Sequence, residues 1–424
     1  MVASVSRRSL LGAGAGAAVL VATTGGSAFA AARPGAAPGA PSAQGVRLTL
    51  PAPTGPHPVG TVSVRLVDRS RRDPWVSTRP YRELMVSVRH PARDVRGHRL
   101  APQMLPGAAA DFDRLNSLEG VPHGKVDWAA TRSHAYTSAP VGCHGLPVVL
   151  YSPGAGDPRT LGTTLCDELA SRGYAVVMVD HTYDAGAVEF PGSRVERTVL
   201  GEEYAKAEKA GPAAVTALLK KAVDVRVADT RYVLDRLGAL SAALPGGSRG
   251  TLDLSAVGMF GQSAGGFTAA QTMHDDRRLR AVLNMDGVMG YVQNDDDPAN
   301  PSPVGTDGLD RPLLLMGKDG NDHHTVPSWG ITWDHSSGWH RDLTLCGGEH
   351  ASFTDLQSQV PQIGRALGLT PEVVAKNVGT VDPERSVAAQ RAYVSAFFDR
   401  WLRGGDGALL DGPSARWPEV RFVK

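Results

Sequence analysis

The sequence is poor in features that would place it in several large protein classes. It has 3 cysteines in 424 residues, Cys143, Cys166 and Cys346. They allow at most one disulfide and fit no zinc-ligand spacing, so the chain is neither a disulfide scaffold nor a zinc module. Charge of one sign is lacking too, with Lys+Arg 44 against Asp+Glu 43. Nucleic-acid or anionic-membrane binding needs a concentrated basic surface, and this balance gives no reason to expect either partner. Beyond the first thirty residues no apolar run approaches the roughly 20 residues needed to span a bilayer. There is no internal repeat, and low-complexity sequence is confined to the N-terminal region.

That N-terminal region has a pattern of its own. Residues 1–30 carry Arg7 and Arg8, a Gly-rich apolar stretch from Leu10 to Ala22, and the small-residue cleavage site Ala28-Phe29-Ala30, which together make an export signal. Ser6-Arg7-Arg8-Ser9-Leu10-Leu11 is similar to the twin-arginine pattern, whose route carries folded proteins across a bacterial inner membrane; an ordinary secretory signal is the alternative. Both predict a secreted or extracytoplasmic protein with no integral membrane segment once the signal is removed. Residues 31–45 are an Ala/Pro/Gly string that cannot bury a face and read as a flexible tether. Residues 46–424 are expected to form a single domain, a β-rich extension over 46–140 followed by a catalytic core over 141–405.

Within that domain the hydrophobic pattern changes once. Val62, Val64 and Leu66, then Leu84, Val86 and Val88, alternate as strands with one buried face do and suggest an antiparallel edge. From Pro147 onward, short continuous apolar runs alternate with helix-length segments. The runs are 148–151, 175–179, 256–260, 279–285, 313–316 and 343–345. Helices fit Thr160 to Arg172, Ala213 to Leu237, a segment from Gly266, and a last one opened by Asp382-Pro383 as N-cap and first-turn proline. The pattern predicts an α/β fold, a mostly parallel central sheet flanked by helices, with antiparallel edge strands at its N-terminal side.

The chemistry concentrates where those runs end. Gly261-Gln262-Ser263-Ala264-Gly265 is a G-x-S-x-G pentapeptide between a predicted buried strand and a predicted helix. A serine in so tight a turn needs glycine two residues to either side, and the turn exposes its hydroxyl at the carboxyl edge of the sheet. A serine hydroxyl is a weak nucleophile unless a base takes its proton and a carboxylate orients that base. The partners are expected later in the chain, acid before histidine. His350, in a Gly-flanked loop just past the last predicted strand, is the candidate base. His323, His324, His335 and His340 read as solvated loop residues, and His181, ending a strand before the serine, as a pocket-lining residue. For the acid, Asp286 ends one predicted strand while Asp319 and Asp322 follow the next, and topology leaves all of them open. The oxyanion donors are expected to be the amides of Ala264 and Ala155; Pro153 has no N–H. The Gly154-Ala155-Gly156 loop lacks the phosphate-cradling glycine patterns. Asn294-Asp295-Asp296-Asp297 lacks the glycine and distal glutamate of a calcium loop, and Asp322-His323-His324 with Asp334-His335 lacks zinc spacing. No metal and no cofactor is expected.

Several of these segments together resemble the secreted, plasma-type platelet-activating-factor acetylhydrolases of the α/β-hydrolase superfamily. The resemblance runs from about Leu84 to Gly404. It rests on Ser152-Pro153-Gly154-Ala155-Gly156 with Arg159-Thr160-Leu161, on Leu169-Ala170-Ser171-Arg172-Gly173-Tyr174, on Val179-Asp180-His181, on the Ser263 pentapeptide, on Asp286, and on His350-Ala351-Ser352-Phe353-Thr354-Asp355. It implies the α/β-hydrolase fold, Asp286 as the acid, Ala155 and Ala264 as oxyanion donors, and hydrolysis of a phospholipid or other small-molecule short-acyl ester. The chain departs from the family at Pro153-Gly154, where His-Gly is usual, and at Gln262, where His is usual; both positions shape the pocket. A broader lipase or polyester hydrolase, a peptidase, and a non-catalytic binding protein of the same fold are the alternatives.

Overall fold

The structure is a computed structural model that describes residues 45–292 and 300–424. The export signal, residues 31–44 of the tether and the acidic run Asn294–Asp297 lie outside the described residues. The strands are β1 (Val59–Asp68), β2 (Arg82–Pro91), β3 (Leu100–Pro102), β4 (Arg132–Thr137), β5 (Leu146–Ser152), β6 (Ala175–Asp180) and β7 (Ala187–Phe190). They continue as β8 (Arg194–Arg197), β9 (Leu252–Gln262), β10 (Leu279–Met285), β11 (Leu313–Lys318), β12 (His340–Leu345) and β13 (Val420–Phe422). An 11-stranded sheet has the order β13-β12-β11-β10-β9-β5-β6-β2-β1-β4-β3, and β7 pairs with β8 as a separate hairpin.

The continuous apolar runs form the parallel centre, β12 through β6 in that order. They need be apolar at every position because successive side chains enter different cores. Val148 and Leu150 face one core while Val149 and Tyr151 face the other, and Leu313 and Leu315 divide from Leu314 and Met316 in the same way. The long helix Pro212–Ala243 and the helix Ala264–Asp275 cover the first face through Val223, Val227, Leu234, Phe267 and Met273. The helices Thr163–Ser171 and Pro383–Arg403 cover the second through Leu165, Leu169, Tyr393, Phe397 and Phe398.

The N-terminal edge is antiparallel, as the alternation predicts: Val62 lies opposite Val88, Val64 opposite Val86 and Leu66 opposite Leu84. It extends further than expected. β4 returns parallel to β1, β3 adds antiparallel to β4, and β13 closes the far edge antiparallel to β12. Three-residue strands and the polar run of β4 carry no periodicity to read. Helix bounds also differ by a few residues. The segment from Arg159 starts as a 3-10 turn and is α-helical only over Thr163–Ser171, the long helix reaches Ala243, and the helix after the serine starts at Ala264.

The last helix starts where its cap demands. The Asp382 side chain accepts from the Arg385 amide at 2.9 Å, with Pro383 in the first turn. Replacing the carboxylate by alanine orphans that amide, so Asp382→Ala is expected to lower unfolding stability by about 1 kcal/mol in urea melts; an unchanged midpoint would show that the cap contributes nothing.

Candidate active site

Parallel strands deliver their carboxyl ends to one edge of the sheet, and the candidate residues follow four of those ends. Ser263 comes directly after β9, Asp286 directly after β10, the Pro153–Gly156 loop after β5, and His350 in the loop after β12. Ser263 has φ 55 and ψ −127, a conformation that costs a non-glycine residue on the order of 1–3 kcal/mol. Three backbone bonds hold it: its amide donates to Met285 O at 2.8 Å, and its carbonyl accepts from Gly266 at 2.9 Å and Phe267 at 3.2 Å. The flanking glycines are steric necessities. A Cβ on Gly265 would run into the Ser152 carbonyl of β5, and one on Gly261 into the Gly265 carbonyl. Asp286 also sits at positive φ, 56, with its amide donating to Met316 O at 2.9 Å.

Of the three aspartates left open by topology, Asp286 is the one beside the histidine. Its Oδ2 lies 2.5 Å from His350 Nδ1, while Oδ1 accepts from the Lys318 amide at 3.0 Å and from Asn321 Nδ2 at 2.9 Å. Asp319 is exposed and accepts from the Gly347 amide at 3.3 Å, and Asp322 caps its own turn by accepting from His324 and Thr325 amides at 2.9 and 3.1 Å. A carboxylate only accepts, so His350 carries its proton on Nδ1 and leaves Nε2 as an acceptor. That acceptor receives the Gln262 side-chain amide at 3.0 Å. Burial pulls the imidazole pKa down, but the hydrogen bond and charge of Asp286 outweigh it, with Asp157 adding to the pull, and the net position is above the ordinary 6.5. Asp157, in the same cleft, is itself pushed up to about 6 by desolvation.

Of the other histidines, His323, His340 and His181 occupy different surroundings from those expected. His323 is buried, stacked on Trp333 with ring centroids 3.9 Å apart and Nδ1 2.7 Å from Asp342 Oδ2. His340 opens β12 and is half-buried, and His335 ends the helix Pro327–His335; His324 and His335 are the exposed pair. They read as loop residues because the short strand and helix around them have little periodicity. His181 does not line the cleft; it is fully buried between Ser152 and Asp229. Among the described residues no group of three His, Cys, Asp or Glu side chains is placed to hold a metal ion, and all three cysteines are free.

Two cavities meet at Ser263. One of about 230 Å³ is mostly apolar, with Leu218, Val223, Phe267, Val288 and Val292 among its walls. The other, about 510 Å³, runs past Phe112, Leu115, Tyr204 and Leu356 to Asn116 and Asn377. Ala155, Ser263 and His350 belong to both. No described residue accepts from the Ala155 N–H, and the Ala264 N–H is the first of its helix, where no intrahelical acceptor exists. An acyl group in one cavity and an alcohol in the other would meet at the serine between these two amides. Three residues here escaped the sequence reading. Gln262 stands out in the sequence only as a departure from a pattern, while Arg226 and Asp184 are buried against the Pro153–Gly156 loop along the wall of the smaller cavity. The available signal for Arg226 was a charge between Val225 and Val227 on a buried helix face.

Comparison with known proteins gives the family and the reaction class. The profile of the family described as platelet-activating factor acetylhydrolase, isoform II, matches residues 125–402. A probable 1-alkyl-2-acetylglycerophosphocholine esterase of Arthroderma benhamiae is 30% identical over 397 residues, 88% of this chain and 93% of its own. A platelet-activating factor acetylhydrolase of Cavia porcellus is 26% identical over 169 residues, 37% of this chain and 38% of its own. The solved ferulic acid esterase from Streptomyces cinnamoneus superposes with a TM-score of 0.72 at 36% identity, covering 89% of this chain and 99% of that one. No helix among the described residues is long and apolar enough to cross a membrane. With its fold, the profile match and a relative aligned over nearly its whole length, the chain belongs to the platelet-activating factor acetylhydrolase, isoform II, family and is a carboxylic-ester hydrolase of the α/β-hydrolase fold.

Proposed function

We propose that the reaction runs through Ser263, His350 and Asp286, and that the preferred substrate is a short-acyl ester of the glycerophospholipid type. The observation that carries this reading is the 2.5 Å contact between His350 Nδ1 and Asp286 Oδ2 beside a serine held at the strained turn after β9. For attack, His350 Nε2 exchanges the Gln262 amide for the Ser263 hydroxyl and takes its proton as Oγ bonds to the ester carbonyl carbon. Asp286 holds the Nδ1–H and stabilises the imidazolium that forms. The Ala155 and Ala264 amides receive the negative oxygen of the tetrahedral intermediate, a contribution of several kcal/mol in enzymes of this type. On collapse, His350 returns the proton to the departing alcohol oxygen. Water, deprotonated by the same nitrogen, then releases the acid and restores Ser263.

The acetyl ester follows from the names of the two relatives and from the shared motifs. A second reading, an aromatic or longer acyl group, is favoured by the apolar cavity of about 230 Å³, because an apolar cavity of about 150 Å³ already holds a benzene ring, and by the ferulic acid esterase neighbour. We further propose export of the folded enzyme through the Arg7-Arg8 signal.

Hydrolysis of p-nitrophenyl acetate through palmitate, with methyl ferulate alongside, is expected to peak at acetate and to vanish in Ser263→Ala. A ferulate or long-chain optimum would transfer the assignment to the second reading, and no hydrolysis by either protein would favour a binding role. Because the base must be neutral, kcat/KM should rise with pH through a His350 pKa above 6.5. In Asp286→Asn, with the raising partner gone, that limb should move to lower pH while kcat falls by about 10⁴-fold; an unmoved limb would remove Asp286 from the mechanism. Export should be lost when Arg7 and Arg8 are both changed to lysine, as read by fractionation; unchanged export would point to an ordinary secretory signal.

A further inference from the structure

We propose that Arg226 is a positioning residue for the oxyanion hole, clamping from behind the very peptide group that carries the Ala155 N–H. The inference rests on the assignment of Ser263 as nucleophile and of Ala155 as an oxyanion donor, and adds to it a residue outside the triad that lies along the wall of the smaller cavity.

Arg226 projects from the helix Pro212–Ala243 and is 1% exposed. Its Nη1 donates to Pro153 O at 2.7 Å and its Nη2 to Gly154 O at 2.9 Å. The Gly154 carbonyl and the Ala155 N–H belong to one planar peptide unit and point in opposite directions, so fixing the oxygen fixes the direction of the N–H. A cationic donor on that oxygen also polarises the amide and makes its N–H a stronger donor toward a developing negative charge.

The guanidinium is itself held without slack. Nε donates to Asp184 Oδ2 at 2.7 Å, Nη2 also to Asp184 Oδ1 at 2.5 Å, and Nη1 to Ser152 Oγ at 3.4 Å. With the two carbonyls, these contacts occupy the whole donor fork of an arginine. Asp184 grips the same loop at its other end, accepting from the Gly156 amide at 3.3 Å, and the Gly156 carbonyl accepts from the Gly186 amide at 2.7 Å.

Behind Ser152 lies a second Ser-His-Asp set. Ser152 Oγ is 3.0 Å from His181 Nε2, and His181 Nδ1 is 3.0 Å from Asp229 Oδ2. All three are fully buried and line neither cavity at Ser263, so no substrate reaches them. Asp229 can only accept, which puts the His181 proton on Nδ1. Ser152 then donates to Nε2 and turns its lone pairs toward Arg226. The set therefore acts as a buried brace for the clamp. A buried ion pair adds little net stability over apolar residues of equal volume; what this one contributes is the fixed geometry of the loop. Lysine, a single point donor, cannot span both carbonyls and the carboxylate.

The test is steady-state hydrolysis of p-nitrophenyl acetate by Arg226→Met, Arg226→Lys and Asp184→Asn. It is read with the inhibition constant of a trifluoromethyl ketone, which forms the tetrahedral adduct on Ser263, and with fluorophosphonate labelling of the wild type. Arg226→Met should lose about 100-fold in kcat with KM within about 3-fold, and the ketone should weaken in step with kcat, because only the oxyanion is affected. Arg226→Lys should recover part of that loss, and Asp184→Asn, which keeps an acceptor, should lose about 10-fold. Wild-type kcat and ketone affinity in Arg226→Met, or KM and ketone affinity weakening together, would overturn the clamp. If Arg226→Met does not fold, Arg226→Lys carries the same comparison, and a wild-type kcat there overturns it equally. Failure of the underlying assignment reads differently: the wild type would not be labelled at Ser263, or Ser263→Ala would retain activity, and the clamp would fall with it.

Discussion

The turn at Ser263 can exist only where β5, β9 and β10 leave room for it, and the rest of the site is arranged around that constraint. The serine is forced to a φ of 55, and the backbone of Gly265 presses so close to Ser152 that a single Cβ would separate β5 from the helix Ala264–Asp275. Met285, the last residue of β10, ties the serine amide down. Parallel pairing of β5, β9 and β10 is thus a condition for the geometry of Ser263 and also the reason that the Pro153–Gly156 loop and Asp286 arrive at the same edge. The two apolar cores matter to the chemistry because they set the spacing of these strand ends.

Around the strained serine the polar groups fall into two layers with different roles. The first touches the cleft: Ser263, His350, Asp286, and the amides of Ala155 and Ala264. The second supports the first from the cavity wall and consists of pairs that leave few free donors, Asn321 and the Lys318 amide on Asp286, and Arg226 with Asp184 on the Pro153–Gly156 loop. Preorganisation of this kind lets dipoles stabilise a developing charge without rearranging at the moment of reaction. Gln262 stands apart, since it binds His350 Nε2, the nitrogen that the proposed mechanism assigns to the Ser263 hydroxyl. In that mechanism the chain's departure from the usual histidine at that position falls on the proton-transfer step.

Much of this was legible in the sequence, for physical reasons that also mark where legibility ends. The buried parallel strands announce themselves because both faces must be apolar, the glycines flanking Ser263 because sterics allow nothing larger, and the last helix because Asp382 and Pro383 solve its first turn. His350 is legible as a candidate through its place after a strand. The choice among Asp286, Asp319 and Asp322 was not available from topology, because each follows a strand end on the same edge; only the family resemblance favoured Asp286, and the distance to His350 agrees with it. β3 and β13 were missed because three residues carry no period, and His323 because its burial depends on Trp333, ten positions on. Arg226 was the hardest to read. Two of its partners are main-chain carbonyls, which leave no trace in side-chain patterns, and Asp184 lies 42 positions away in sequence.

The measurement that tests the central claim most directly is acid-quench trapping of the enzyme during turnover of p-nitrophenyl acetate, followed by peptide mapping by mass spectrometry. The account predicts an acetyl group on the peptide containing Ser263, absent from protein denatured before mixing. Acetylation at another serine, Ser152 included, or turnover with no acylated peptide, would contradict it.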